Sequence, residues 1–138
     1  MKSPKKVCLI DTNVVLRYLL GDHPKLSPKA AAFMSDVFEG KRKAEIPDVV
    51  IVECVYVMDK YYGVPKNEIV EKLSGILNFS GIVNPDRSRI LEALLRYSNS
   101  SADIVDCILI LAAHSSPAKI VVSFDRDMEK LKAVFETL

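Results

Sequence analysis

The chain reads as an α/β protein, with a mainly parallel sheet covered on both faces by helices. Three observations carry this reading. Val7-Cys8-Leu9-Ile10 is a run of four apolar residues, as expected of a strand buried on both faces. Ile120-Val121-Val122 is a second such run near the other end of the chain. Between them lie amphipathic helices separated by short strands or links, the pattern of a sheet with helices on its faces. With 138 residues, the chain is expected to be one domain, spanning 1–138.

In chain order, the first strand runs into Asp11-Thr12-Asn13, and an amphipathic helix follows with Val14, Val15, Leu16, Tyr18, Leu19 and Leu20. Ligands in open α/β sheets bind at the carboxyl ends of central strands, so Asp11 is placed as a functional carboxylate. It is equally placed as a helix N-cap, and Thr12 or Asn13 could also cap. Gly21 to Pro24 makes a turn, and Ser27-Pro28 reads as the start of a second helix carrying Ala30, Phe33, Met34, Val37 and Phe38. Lys41-Arg42-Lys43 is a basic loop, better explained as a solvated loop than as an RNA contact.

Ala44 to Ile46 predicts a short strand. Val49 to Tyr62 predicts a helix buried nearly all round, since its apolar stretch is too long for one strand. Glu53 falls inside that stretch, where an acid needs a salt bridge or a metal. Lys66 onward predicts a further helix, Gly81 to Val83 a short strand or link, and Asn84-Pro85-Asp86 the cap of another helix. From Ile104 to Ala113 every residue but Asp106 is apolar, which predicts a core helix. Asp103 and Asp106 share one face of its first turn, where the helix dipole favours acids. The second apolar strand ends in Ser123-Phe124-Asp125-Arg126-Asp127; a short helix at Met128 to Leu131 and an edge strand at Val134 to Leu138 follow.

Composition narrows the function. Hydrophobic residues are 49% and charged residues 27%, an ordinary globular balance, and the net charge of +1 gives no global attraction for a polyanion. Cys8, Cys54 and Cys107 stand alone in apolar runs, which predicts buried thiols in a reducing compartment and no zinc site. Neither a signal peptide nor a membrane span is expected, and a cytoplasmic location follows.

Four acids then stand out: Asp11 and Asp125 at strand ends, Glu53 and Asp106 on helices. If both strands are central, the first pair emerges side by side and the second reaches it from above. Such a cluster would take up protons or bind a hard cation. Oxygen-only ligation points to Mg²⁺ or Mn²⁺, and the matching chemistry is phosphodiester hydrolysis. Arg17, one turn beyond Asn13, and Arg126 are the nearest cations for RNA or a partner, with an Arg17–Asp22 ion pair as the plain alternative.

Ile10 to Leu19, Ile46 to Glu53, Asp103 to His114 and Ser123 to Asp127 together resemble the motifs of the PIN-domain family, and within it the VapC-type toxins of prokaryotic toxin–antitoxin modules. The resemblance covers the whole chain in order, spacing and length. It implies a three-layer α/β/α sandwich and a metal-dependent endoribonuclease. The acidic positions fall on Asp11, Glu53, Asp106 and Asp125, which would be both catalytic and metal-binding. Asp103 and Asp127 are auxiliary, and Thr12, Asn13 and Ser123 support them. Ser123 stands where the family more often has Thr, and Ile110-Leu111 where small residues are common. RNA, a cognate antitoxin and a second copy in a homodimer are the implied partners. An RNA-processing nuclease maturing ribosomal RNA shares the chemistry, and a non-catalytic binding module shares the fold. A haloacid-dehalogenase-like phosphatase would need an acid where Asn13 stands.

Overall fold

A computed structural model of the chain describes residues 6–117, 120–125 and 135–138. Arg126, Asp127 and the helix expected at Met128 to Leu131 lie outside the described residues. The chain divides into two compact units, 1–87 and 88–138.

The first unit opens with β1 (Cys8–Leu9), followed by α1 (Thr12–Leu20), α2 (Leu26–Phe38), β2 (Ala44–Glu45), α3 (Asp48–Lys60) and α4 (Lys66–Leu77). β1 and β2 are parallel, with Cys8 opposite Ala44 and Leu9 opposite Glu45. The link at Ile82 adds a parallel bridge to Ala44. α1 packs on α2 and on α3, and α3 on α4. Val15, Met34, Val37, Ile51, Cys54, Met58, Ile69, Leu73 and Leu77 are fully buried. Tyr18 and Phe38 both meet Phe79 edge-on, with ring centroids 6.2 and 5.1 Å apart.

Two local features differ from the sequence reading for physical reasons. α2 begins at Leu26, so Ser27 is not its cap. The imidazole Nδ1 of His23 instead accepts the backbone N–H groups of Lys25 (3.2 Å) and Leu26 (2.9 Å). Ser27 Oγ donates to the carbonyl of Arg17 at 2.8 Å, tying α2 to the end of α1. Asn84 does not cap the next helix either. Its buried amide accepts from the N–H of Ile46 (2.8 Å) and donates to the Ile46 carbonyl (2.7 Å), extending the ladder beyond Ala44 with a side chain. Gly81 is required beside it, because a Cβ there would run into the carbonyl oxygens of Arg42 and Val37.

α3 is a helix, as predicted, but it is not buried all round. Val50, Ile51, Cys54, Val55 and Met58 form its buried side, while Val49, Glu53, Tyr56 and Lys60 lie exposed. Glu53 is therefore a surface carboxylate, and the argument from its burial fails. The basic loop behaves as a solvated one: Lys41 pairs with Glu39 at 2.7 Å, and Arg42 lies 5.9 Å over the Phe33 ring.

The second unit contains α5 (Arg87–Ser98, begun one residue earlier), α6 (Ile104–Ser115), β3 (Val121–Ser123) and β4 (Phe135–Thr137). β3 and β4 are parallel, with Val121 opposite Phe135 and Ser123 opposite Thr137, and α6 packs on β3. Ile90, Leu94, Cys107, Ile110 and Leu111 are buried. α6 is not wholly a core helix, since Val105 and Leu109 are each 45% exposed. β3 is half-buried: Val121 faces inward, while Ile120 and Val122 are exposed. The α/β class and parallel pairing are as expected; among the described residues the strands form a two-stranded sheet in each unit, and Val7 and Leu9 are exposed, so the first run is not buried on both faces. Cys54 and Cys107 are buried, but Cys8 is only half-buried, its thiol 3.6 Å from the Lys43 carbonyl.

Candidate active site

The apolar run of β1 ends at buried Ile10, and the chain turns directly into α1. Asp11 takes an extended conformation there and caps the helix, one carboxylate oxygen accepting the Thr12 N–H at 2.8 Å. The capping role is thus real. It uses one acceptor of a group that stays exposed, on the wall between two hollows.

The first hollow is a cleft of about 630 Å³ lined by Asp11, Thr12, Asn13, Leu16, Arg17, Glu53, Val57, Tyr61 and Tyr62. Two of the four predicted acids, Asp11 and Glu53, are therefore brought together by α1 and the exposed face of α3. Thr12 and Asn13, predicted to support them, line the same space. The charge of both acids is felt at Cys54 behind them. Burial first, then Glu53 and Asp11, push its thiol up to about 12, so it is no nucleophile at neutral pH. The second hollow, about 520 Å³, is mostly apolar, with Leu9, Val14 and Phe33 among its lining and Lys29 and Arg42 also on its walls.

Arg17 reaches both hollows. Its Nη1 pairs with Asp22 at 3.0 Å, so the ion pair anticipated as the plain alternative exists. Nη2 donates to the Tyr62 hydroxyl at 3.2 Å, which is the main reason the guanidinium holds its proton more tightly than usual. Its Nε is buried and has no hydrogen-bond partner among the described residues.

The second unit holds the other acids. Asp103 caps α6, accepting the N–H of Asp106 at 3.1 Å, which accounts for it structurally. Asp106 is half-buried in the first turn. Burial, then the charges of Asp103 and Asp125, raise its carboxyl above the usual range. Asp125 is exposed just past β3, and its N–H donates to Ser123 Oγ at 3.0 Å, so the strand-end hydroxyl fixes the backbone at the acid. Among the described residues, no three His, Cys, Asp or Glu side chains gather into a group able to hold a metal ion. What each unit offers is an all-oxygen donor set, the type that suits a hard divalent cation.

Sequence reasoning missed Tyr61 and Tyr62. Val57 and Tyr61 follow Glu53 at i+4 and i+8, so a stripe from that acid would have found one of them. Nothing in the sequence singled out Tyr62 as a partner of Arg17.

Asp11 at the end of β1 and Glu53 on α3 share one cleft in the first unit, and in the second unit Asp103 and Asp125 act on Asp106. The family model described as PIN domain matches residues 8–134, and the chain belongs to that family. It is also 31% identical over 123 residues to a VapC ribonuclease of Aquifex aeolicus (strain VF5), covering 89% of this chain and 90% of the relative. No helix among the described residues is long and apolar enough to cross a membrane.

Proposed function

We propose that the protein is a metal-dependent endoribonuclease, the toxin component of a toxin–antitoxin module. The observation that carries this reading is the cleft that gathers Asp11 and Glu53 at the end of β1, in a chain similar to a VapC ribonuclease. The family match runs across both units, which supports treating 1–138 as one PIN-like domain built as an α/β/α sandwich. On this reading Asp106 and Asp125 join Asp11 and Glu53 as the catalytic, metal-binding acids, with Asp103 and Asp127 auxiliary. Burial and the like charges of Asp103 and Asp125 raise the Asp106 carboxyl, and a divalent cation held there would offset that like charge.

A bound Mg²⁺ or Mn²⁺ would neutralise these carboxylates and supply Lewis-acid activation for phosphodiester hydrolysis. The chain's own residues do the rest. Asp11 accepts the Thr12 N–H as it caps α1, and Asn13 lines the cleft beside it. Arg17, paired with Asp22 and bonded to Tyr62, places a guanidinium on the cleft wall where a phosphate would meet it. RNA is the substrate, a second copy and an antitoxin protein are the partners, and the cytoplasm is the working compartment.

The test is cleavage of RNA by the purified protein. Activity should require Mg²⁺ or Mn²⁺, vanish in excess EDTA, and be lost in Asp11→Asn. Undiminished cleavage in EDTA would refute the metal mechanism.

A further inference from the structure

The cleft carries an aromatic wall that hydrolysis itself does not use. Tyr61 and Tyr62 follow α3 directly, and both line the cleft with Asp11 and Glu53. Tyr61 is 76% exposed and Tyr56, one turn earlier, is 56% exposed. Their rings pack edge to face, with centroids 6.3 Å apart and planes at 73°. Tyr62 is also exposed, and its hydroxyl accepts from Arg17.

Three exposed tyrosines within seven residues forgo a large burial of apolar surface, since each ring could remove ~150–250 Å² from water. A base can cover such rings, because every base has a π-face, and stacking on aromatic side chains is how unpaired nucleotides are held. The surroundings favour this occupant over a protein. Protein hot spots sit in dry apolar pockets, whereas Tyr61 and Tyr62 share their cleft with two carboxylates, a guanidinium and an amide. A strand whose phosphate lies at the acids would pass its bases along this wall.

Resting on the ribonuclease reading, we propose that Tyr61, braced by Tyr56 and flanked by the Tyr62–Arg17 pair, is a stacking platform for an unpaired base next to the scissile phosphate. Duplex RNA is excluded as a good substrate because its bases are already stacked on one another. Base identity is read weakly, with purines ahead of pyrimidines through their larger rings.

The experiment uses the full chain and a fluorescein-labelled RNA 12-mer free of secondary structure. The same strand is also offered annealed to its complement, and with an abasic nucleotide beside the cleavage position. Binding is followed by anisotropy in EDTA and cleavage in Mn²⁺, with thermal melting and gel filtration of each variant. Tyr61→Ala should weaken binding of the single strand by roughly 5- to 150-fold, the range of one base–aromatic stack. Tyr61→Phe should bind like the wild type, and Tyr61→Ala should be indifferent to the abasic change that weakens wild-type binding. Binding of the duplex should not respond to Tyr61→Ala. If the wild type cleaves the single strand and Tyr61→Ala binds it equally well, the platform is refuted while the nuclease reading stands. A changed oligomeric state in Tyr61→Ala with RNA binding intact would make the tyrosines a protein interface and also overturn the proposal. No cleavage by the wild type with either metal would remove the nuclease reading, and the platform with it.

Discussion

The two units hold their acids differently. In 1–87, Asp11 and Glu53 stand exposed on an open cleft that they share with a guanidinium and two tyrosines. In 88–138, Asp106 is half-buried, and the neighbouring charges that act on it are Asp103 and Asp125, both of its own sign. The first arrangement stands open to solvent, with Arg17 on the same cleft wall. The second costs free energy whenever Asp106 is ionised, since burial and like charge both oppose its charged form. Burial and like charge thus act together on Asp106. Perturbed carboxylates cluster at functional sites.

The largest expected effect follows directly. If both sets of acids serve one reaction, Asp106→Asn should abolish RNA cleavage as thoroughly as Asp11→Asn, each by at least ~100-fold, the scale of losing a group that stabilises charge in the transition state. Glu53→Gln and Asp125→Asn should lower the rate by ~10–100-fold, as expected of groups that orient the ligands of a metal. Asp103→Asn should matter less, because Asn also caps a helix well. Rates measured for the five variants at saturating Mn²⁺ sharpen the comparison. Activity that survives Asp106→Asn but not Asp103→Asn would reverse the roles within the second unit.

Stability should separate the units next. Asn84 satisfies both polar groups of Ile46 through its own amide, all of it buried in the first unit. Asn84→Ala leaves an N–H and a carbonyl unpaired, at ~1–3 kcal/mol for each buried group. Asn84→Asp keeps the acceptor for the Ile46 N–H but loses the donor, and should be destabilised as well. Urea denaturation checks this. A midpoint unchanged in Asn84→Ala would mean that water replaces the amide.

How much of this was legible in the sequence depends on what kind of signal each residue left. Asp11 was found because an acid ended an apolar run, and the cap it forms was foreseen as one of its two uses. Asp106 was found because it interrupted an apolar helix, and its raised affinity for a proton agrees with that logic. Glu53 was found by a faulty argument. Val49 and Tyr56 lie on the solvent side of α3, so the apolar stretch around Glu53 did not mean burial. Apolar residues on a surface leave the same trace in a sequence as apolar residues in a core. The same limit hid the half-buried character of β3 and the exposed edge of α6. His23 was read only as part of a turn and Asn84 only as part of a cap, because side chains that replace backbone hydrogen bonds carry no periodicity. Their partners lie at contacts that only the fold creates, as the pairing of Asn84 with Ile46 across 38 positions shows.

The smallest effect is the most diagnostic, because its sign distinguishes strain from support. In the metal-free protein, Asp106 holds its proton more tightly folded than an ordinary aspartate does unfolded. The native state therefore binds more protons than the unfolded state between the ordinary aspartate range and the raised value. Over that window stability falls as pH rises, and above it the full penalty persists. Asp106→Asn removes the ionisable group, so at pH 7 without metal it should raise Tm, by no more than about 3 °C for a chain of this size. It should also flatten the decline of Tm with pH through the window. Added Mg²⁺ should then raise Tm of the wild type, by ~2.7 kcal/mol of stabilisation at 100-fold excess over its dissociation constant, and do much less for Asp106→Asn. A structural ion pair predicts the reverse, since cutting one partner of a buried pair costs ~3–5 kcal/mol. Melting curves of both proteins from pH 4 to 8, in EDTA and in Mg²⁺, decide the matter. A lower Tm for Asp106→Asn in EDTA, with the Mg²⁺ shift retained, would make Asp106 a support of the fold and leave the cleft of Asp11 and Glu53 as the whole of the site.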